Sequence, residues 1–180
     1  VIDEYYRCAA GRKVKKPQVT ISISCFIPKP FTPFQWEAQN TADELEMKQK
    51  HLLSCLTDRK IRYNYHDAKV SRLEAVFARG NRNLAPAIIE AVKRGMRFDA
   101  WEEFFDYDKW ISVLERSGID PAFYANREFA IDEVLPWDII DCGVDKSFFL
   151  REREDLWCVK LKGILLGLSL IPLIFYTYNG

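Results

Sequence analysis

The chain has 180 residues, 48% of them hydrophobic, and its 26 basic residues balance 26 acidic ones. That content can bury a core of ordinary size in one domain, and the balance supplies no global field for nucleic acid or an anionic membrane. Five cysteines without a secretory signal fit a reducing, cytoplasmic setting rather than a disulfide framework, and each is expected as a small buried apolar residue.

The opening residues read as the tail of a helix, overlapping a basic run of Arg7, Arg12, Lys13, Lys15 and Lys16 whose simplest role is a solvated helix end and loop. A strand follows over Val19 to Ile27. Val19, Ile21 and Ile23 form a branched apolar face, while Thr20, Ser22 and Ser24 form a small hydroxylated one, and both faces are expected to be buried. Pro28, Pro30 and Pro33 stiffen the loop that comes next. In a β/α barrel the inward face of a strand, near its C-terminal end, lines the cavity where chemistry occurs. A hydroxylated face suits that place, so Thr20, Ser22, Ser24 and Phe26 are the first candidates for a cofactor or substrate pocket.

Thr41 and Glu44 form a capping box, and Leu45, Leu52, Leu53 and Leu56 recur at helical spacing to about Thr57. Asp58 to Lys60 turns the chain into a second strand, Ile61 to His66. Strand, helix, strand is the βαβ signature of a parallel sheet with a right-handed crossover, so the fold class is α/β. From Ser71 the pattern is helical. Leu73, Val76 and Phe77 make one stripe, Gly80-Asn81 breaks it, and Leu84, Ile88, Ala91 and Val92 make the next until Gly95.

Aromatic residues dominate from Phe98 to Trp110, interleaved with Asp99, Glu102, Glu103, Asp106 and Asp108. Carboxylates among aromatics are more simply the wet and dry faces of a helix than a metal site. Trp110, Val113 and Leu114 belong to a helix ending near Gly118, Ile119 to Val134 is loop-rich, and Leu135-Pro136-Trp137-Asp138 restarts order. An apolar run occupies Gly163 to Tyr178.

Among titratable groups, His66 beside Asp67 is a candidate acid/base pair or substrate contact, although neighbours on a strand face opposite ways. Arg79 and Arg82 flank Gly80-Asn81 in a loop of guanidinium groups suited to carboxylate or phosphate, the alternative being a fixed ion pair. His51 is read as solvated.

The phrase "VTISISCFIPKPFTPFQW" resembles the late barrel strand and following loop of radical S-adenosylmethionine proteins, in the subgroup with an upstream cobalamin-binding-like domain. "NYHDAKVSRLEAVFARGNRNLAPAIIEAVKRGMRFDAWEEFF", "DYDKW", "GIDPAFYANRE" and "DEVLPWDIIDCGVDKSFFLRERE" follow the same subgroup in order, so the resemblance covers Val1 to Glu154. It implies the end of a partial (β/α) barrel over 1–67, a mainly helical, aromatic-rich extension over 68–154, and an atypical tail over 155–180. It also implies S-adenosylmethionine and a 4Fe-4S cluster as cofactors of the parent, with room for cobalamin, and an unknown substrate.

Such proteins hold the cluster through a CxxxCxxC loop, which this sequence lacks. The chain is therefore expected to be a C-terminal fragment, inactive alone, whose partner is the missing N-terminal part of the barrel. The tail past Glu154 is expected to be a frameshift or read-through product. A membrane anchor and a segment covering the open barrel edge are the competing accounts of it. The alternative function is a non-catalytic interaction module that presents its aromatic-rich helices to a protein partner, with tethering through 163–178. Acids among the aromatics disfavour nucleic acid.

Overall fold

The computed structural model describes residues 2–10, 12, 15–58, 60–97, 101 and 103–165. Helix α1, Ile2–Cys8, buries none of its side chains. Strand β1, Val19–Ile23, and strand β2, Ile61–Tyr65, pair in parallel, with Val19 opposite Ile61 and Ile23 opposite Tyr65. Helix α2, Ala42–Cys55, makes the crossover between them. The expected capping box is present: the Thr41 hydroxyl accepts from the Glu44 amide, and the Glu44 carboxylate accepts from the Thr41 amide at 2.8 Å. A box of this kind satisfies two helix-end donors at once.

The first strand is shorter than its alternation suggests. Its last ladder bond joins the His66 amide to the Ile23 carbonyl, and the Phe26 carbonyl is instead taken by the Gln39 side chain. The hydroxyl face also differs from expectation: Thr20, Ser22 and Ser24 are exposed, whereas Val19, Ile21 and Ile23 are half-buried. Two strands, the only ones among the described residues, form the sheet, and its polar face is left open where a parallel sheet in a barrel would be covered. The fold is mixed α/β with a small parallel sheet.

Helix α3, Ala68–Ala78, starts three residues before the expected Ser71. The Asp67 carboxylate accepts from the Lys69 and Val70 amides and so fixes the first turn earlier. After a short 3-10 turn at Arg82–Leu84 comes α4, Ala85–Lys93. It buries Ala87 and Ala91 beside Leu84 but leaves Ile88 and Val92 exposed, 45% and 56%. The small alanines are what let this helix approach its neighbours. Helix α5, Tyr107–Arg116, is capped by Asp106 and buries Trp110, Val113 and Leu114, as the stripe predicts. Helix α6, Pro121–Ala125, lies where a loop is expected; Pro121 opens it and the Asp120 side chain caps it. Helix α7, Lys146–Leu165, contains the "RERE" residues. The run beyond Leu165, and with it the frameshift, anchor and tether expectations, lies outside the described residues.

Two apolar cores result. The first joins α3, α4, α5 and α6 through Leu73, Val76, Leu84, Trp110, Leu114 and Tyr124. The second, Trp36, Phe129, Leu135, Trp137 and Phe149, sets the segment after the proline loop against the C-terminal third of the chain. Each large side chain buried in this way contributes roughly 1.5–3 kcal/mol. The cysteines do not share in either core: Cys8, Cys55, Cys142 and Cys158 are exposed and Cys25 is half-buried. They sit instead at helix ends (Cys8, Cys55), just after β1 (Cys25), in the chain between α6 and α7 (Cys142) and at an exposed position of α7 (Cys158).

Candidate functional site

The C-terminal ends of β1 and β2 meet at a small polar cluster. Register puts Thr20 opposite Arg62 and Ser22 opposite Asn64, so the polar face continues across both strands. All four side chains are exposed, as is Ser24. Just beyond, the Cys25 Sγ lies 3.8 Å from the His66 carbonyl oxygen. Gln49 of α2 donates to that same carbonyl at 2.8 Å and lies 3.6 Å from Cys25 Sγ. One glutamine thereby ties both strand ends to the crossover helix. The Tyr63 hydroxyl beneath them is buried without a partner among the described residues. Burial, and then the nearby Cys25 and Tyr65, push its pKa up. Phe26 is 45% exposed and meets Phe34 edge-on.

His66 belongs to this cluster through its backbone, and its ring is exposed. It does not form a dyad with Asp67, whose carboxylate is committed to the start of α3. A carboxylate accepting two amide hydrogen bonds at a helix N-terminus is a cap.

The two arginines separate. Arg79 is 1% exposed. Its Nη1 donates to the carbonyls of Tyr124 and Ala125 at 2.8 and 2.9 Å, and its Nη2 to that of Arg127 at 2.7 Å. Its guanidinium lies 4.0 Å from the Phe129 ring centre. Burial, together with the like charge of Arg127, pushes its pKa down to about 10, which leaves it charged at neutral pH. The group sequence reasoning offers to a carboxylate or phosphate is spent on the chain's own backbone, where it closes the end of α6. Arg82 stays exposed.

Sequence reading missed the residues that organise this region. Gln35, Glu37 and Gln39 are 4%, 9% and 2% exposed. The Gln35 carbonyl oxygen accepts from Trp137 Nε1 at 2.7 Å and from the Phe31 amide, where Phe31 holds a left-handed φ of 57°. Glu37 pairs with Arg153 of α7 at 2.7 Å. Gln39 donates to the Phe26 and Ser71 carbonyls, and its own amide donates to Ala125. Buried polar groups are hydrogen-bonded because leaving them unpaired is expensive. These three form a strap joining the proline loop, α3, α6 and α7. Gln35, Glu37 and Gln39 alternate at strand spacing, but residues of these types are mostly exposed, so the pattern carries no sequence signal of burial.

The donor set does not fit an iron–sulfur cluster. The five cysteines lie on separate elements, and among the described residues no group of three His, Cys, Asp or Glu side chains is placed to hold a metal. Asp106, from the acidic cluster, is a helix cap, while Asp99 and Glu102 lie outside the described residues. The chain matches no protein-family model, no curated protein and no solved structure.

Proposed function

We propose that this chain supplies part of the wall of a radical S-adenosylmethionine barrel, with the helices after β2 as its C-terminal extension. The observation that carries the reading is the in-register parallel pairing of β1 and β2 through one crossover helix, with the hydroxyl-bearing face left open. Barrel chemistry is performed beyond the C-terminal ends of parallel strands, which is where Ser24, Phe26 and His66 gather. The motif phrases that resemble the family lend the same support.

Hydroxyls at Thr20, Ser22 and Ser24 both donate and accept hydrogen bonds. They suit the ribose and amino-acid groups of S-adenosylmethionine, or a polar substrate laid along the strand. Phe26, 45% exposed beyond Ser24, offers an apolar surface at one end of such a ligand. Because the cysteines do not fit a cluster, no step through one follows from these residues. The reading requires the cluster ligands, and any cobalamin site, to come from other polypeptide.

The test is to sequence the source DNA beyond both ends of the frame and to express the longest continuous protein. The proposal expects an in-frame CxxxCxxC loop and, after anaerobic reconstitution with iron and sulfide, release of 5′-deoxyadenosine that Ser22→Val diminishes. The 180-residue chain alone should take up no iron. A start codon directly ahead of Val1, with a stop after Gly180, would overturn the proposal.

One observation favours the second reading, an interaction module. Large apolar side chains, among them Ile88, Val134 and Ile139, are exposed on one region of the extension, and exposed apolar surface of this kind marks contact sites. As for tethering, no helix among the described residues is long and apolar enough to cross a membrane.

A further inference from the structure

An open groove of about 850 Å³ runs between the 3-10 turn, the first turn of α4 and the turn at 134–139. Phe77 and Leu84 lie at its base, and Ile88, Val134 and Ile139 form its walls. Val134 and Ile139 are 81% and 80% exposed, values that leave whole branched side chains in water. Burying each of them would gain free energy, and nothing among the described residues covers them.

The groove also carries one uncompensated charge. Arg82 lines it and is exposed, and its guanidinium has no hydrogen-bond or ion-pair partner among the described residues. Of the carboxylates on the 133–138 turn, Glu133 is paired with Arg127 at 2.7 Å, and Asp138 accepts from the Leu135 amide at 2.8 Å without forming an ion pair with Arg82. Helix α4 begins beside Arg82 with no side-chain cap, so the positive end of its dipole adds to the same potential.

We propose that this groove docks an amphipathic helix of another protein. Two or three of its aliphatic side chains would lie on Ile88, Val134 and Ile139, and one Asp or Glu would pair with Arg82. An open groove with apolar walls suits a helix bearing anchors at helical spacing. Charge decides between the occupants. A second copy of this chain docked with Arg82 near the two-fold axis would bring one Arg82 towards another, and the self-association arm of the test covers the other two-fold arrangements. Residues 166–180 of the chain itself contain no Asp or Glu, so no side chain of that segment could answer the guanidinium. The inference does not depend on the barrel reading.

The test uses the full chain, labelled for NMR, and two synthetic peptides of about 14 residues, long enough for helix on docking. Both carry Leu at positions i, i+4 and i+7; one has Glu where the other has Lys. The Glu peptide is expected to bind with shifts centred on Arg82, Ile88 and Ile139. Arg82→Glu should weaken it by about tenfold, or about 1.4 kcal/mol, and should strengthen the Lys peptide. Ile139→Asp should abolish binding of both, and an unchanged circular dichroism spectrum would show that the fold survives. The proposal is overturned if the Glu peptide does not bind at millimolar concentration, or if Arg82→Glu leaves both affinities unchanged. It is also overturned if Ile139→Asp converts a self-associating chain to a monomer, or if Leu170→Asp with Ile174→Asp shifts the groove amides, since the occupant would then be a second copy or the chain's own tail.

Discussion

Replacing Arg79 by methionine removes the guanidinium and keeps most of the side chain's length. Three carbonyls, those of Tyr124, Ala125 and Arg127, lose a charged donor. Ala125 retains the Gln39 amide as a partner, so two are left without a replacement among these bonds. Hydrogen bonds to a charged group are worth roughly 1.5–3 kcal/mol each. Their sum overstates the loss, because burying the guanidinium is itself costly and the methionine variant avoids that cost. Each buried carbonyl left unsatisfied costs about 1–3 kcal/mol, so with two such acceptors and the thioether still packed on Phe129, Arg79→Met should lose about 3 kcal/mol. Arg79→Lys, with one point-like ammonium against three carbonyls, should lose about 2 kcal/mol. The assay is urea unfolding followed by the fluorescence of the buried Trp36, Trp110 and Trp137, with each slope checked against wild type. A domain of this size should also melt about 10 °C lower in the methionine variant. A loss below about 1 kcal/mol for Arg79→Met at unchanged slope would refute the clamp and restore Arg79 as a ligand group.

Gly80→Ala should destabilise by about 1–3 kcal/mol, because its Cβ would stand 2.0 Å from Leu84 Cδ1 and 2.9 Å from the Val76 carbonyl oxygen; an unaltered urea midpoint would contradict that close approach. Thr41→Ala should remove about 1 kcal/mol with the α2 capping box, measured in the same way. Asp67→Asn, which still accepts from the α3 amides, should be nearly neutral, whereas Asp67→Ala should lose about 1 kcal/mol; equal losses would show that charge rather than capping matters there. Arg127 holds the Glu133 carboxylate below its usual pKa, so the pair's stabilisation is complete above the unfolded pKa and disappears as pH falls through the folded one. With both groups about one-third exposed, Glu133→Gln should lose no more than about 1 kcal/mol at pH 7 and progressively less towards acid; a pH-independent difference would sink this account.

Local chemistry was legible wherever the pattern is short-range. Thr41 and Glu44 announce α2, alternation marks β1, and strand, helix, strand correctly implies a parallel pair. Trp110, Val113 and Leu114 identify the buried face of α5. What could not be read depends on contacts distant in sequence. Of the stripe Leu84, Ile88, Ala91 and Val92, the first and third are buried, but Ile88 and Val92 face solvent and the unpredicted Ala87 is buried in their place, a small residue fitting where a large one does not. Arg79 and Arg82 are indistinguishable in "FARGNR", yet one is consumed by carbonyls 45 to 48 residues away and the other faces solvent. Asp67 looked like half of an acid/base pair until the start of α3 claimed its carboxylate. Gln35 and Glu37 find their partners more than 100 residues later, and nothing local foretells that.

The strap from Gln35 to Gln39 also sets an order of events during synthesis. Its partners Trp137 and Arg153 lie 102 and 116 residues downstream, and such non-local contacts slow folding because the intervening loop must be closed first. At 5–20 residues per second the ribosome needs on the order of 10 s to make that stretch. Until those residues are made, Gln35 and Glu37 lack their distant partners and Trp36 lacks Trp137 and Phe149, while α3, α4 and α5 can already assemble. The helical core is thus able to form first, and the strand-bearing segment docks onto it last, held until then as an apolar and polar tether in water. A nascent chain stalled before Phe149 should therefore be a chaperone client, with the region around Trp36 as the part the chaperone grips.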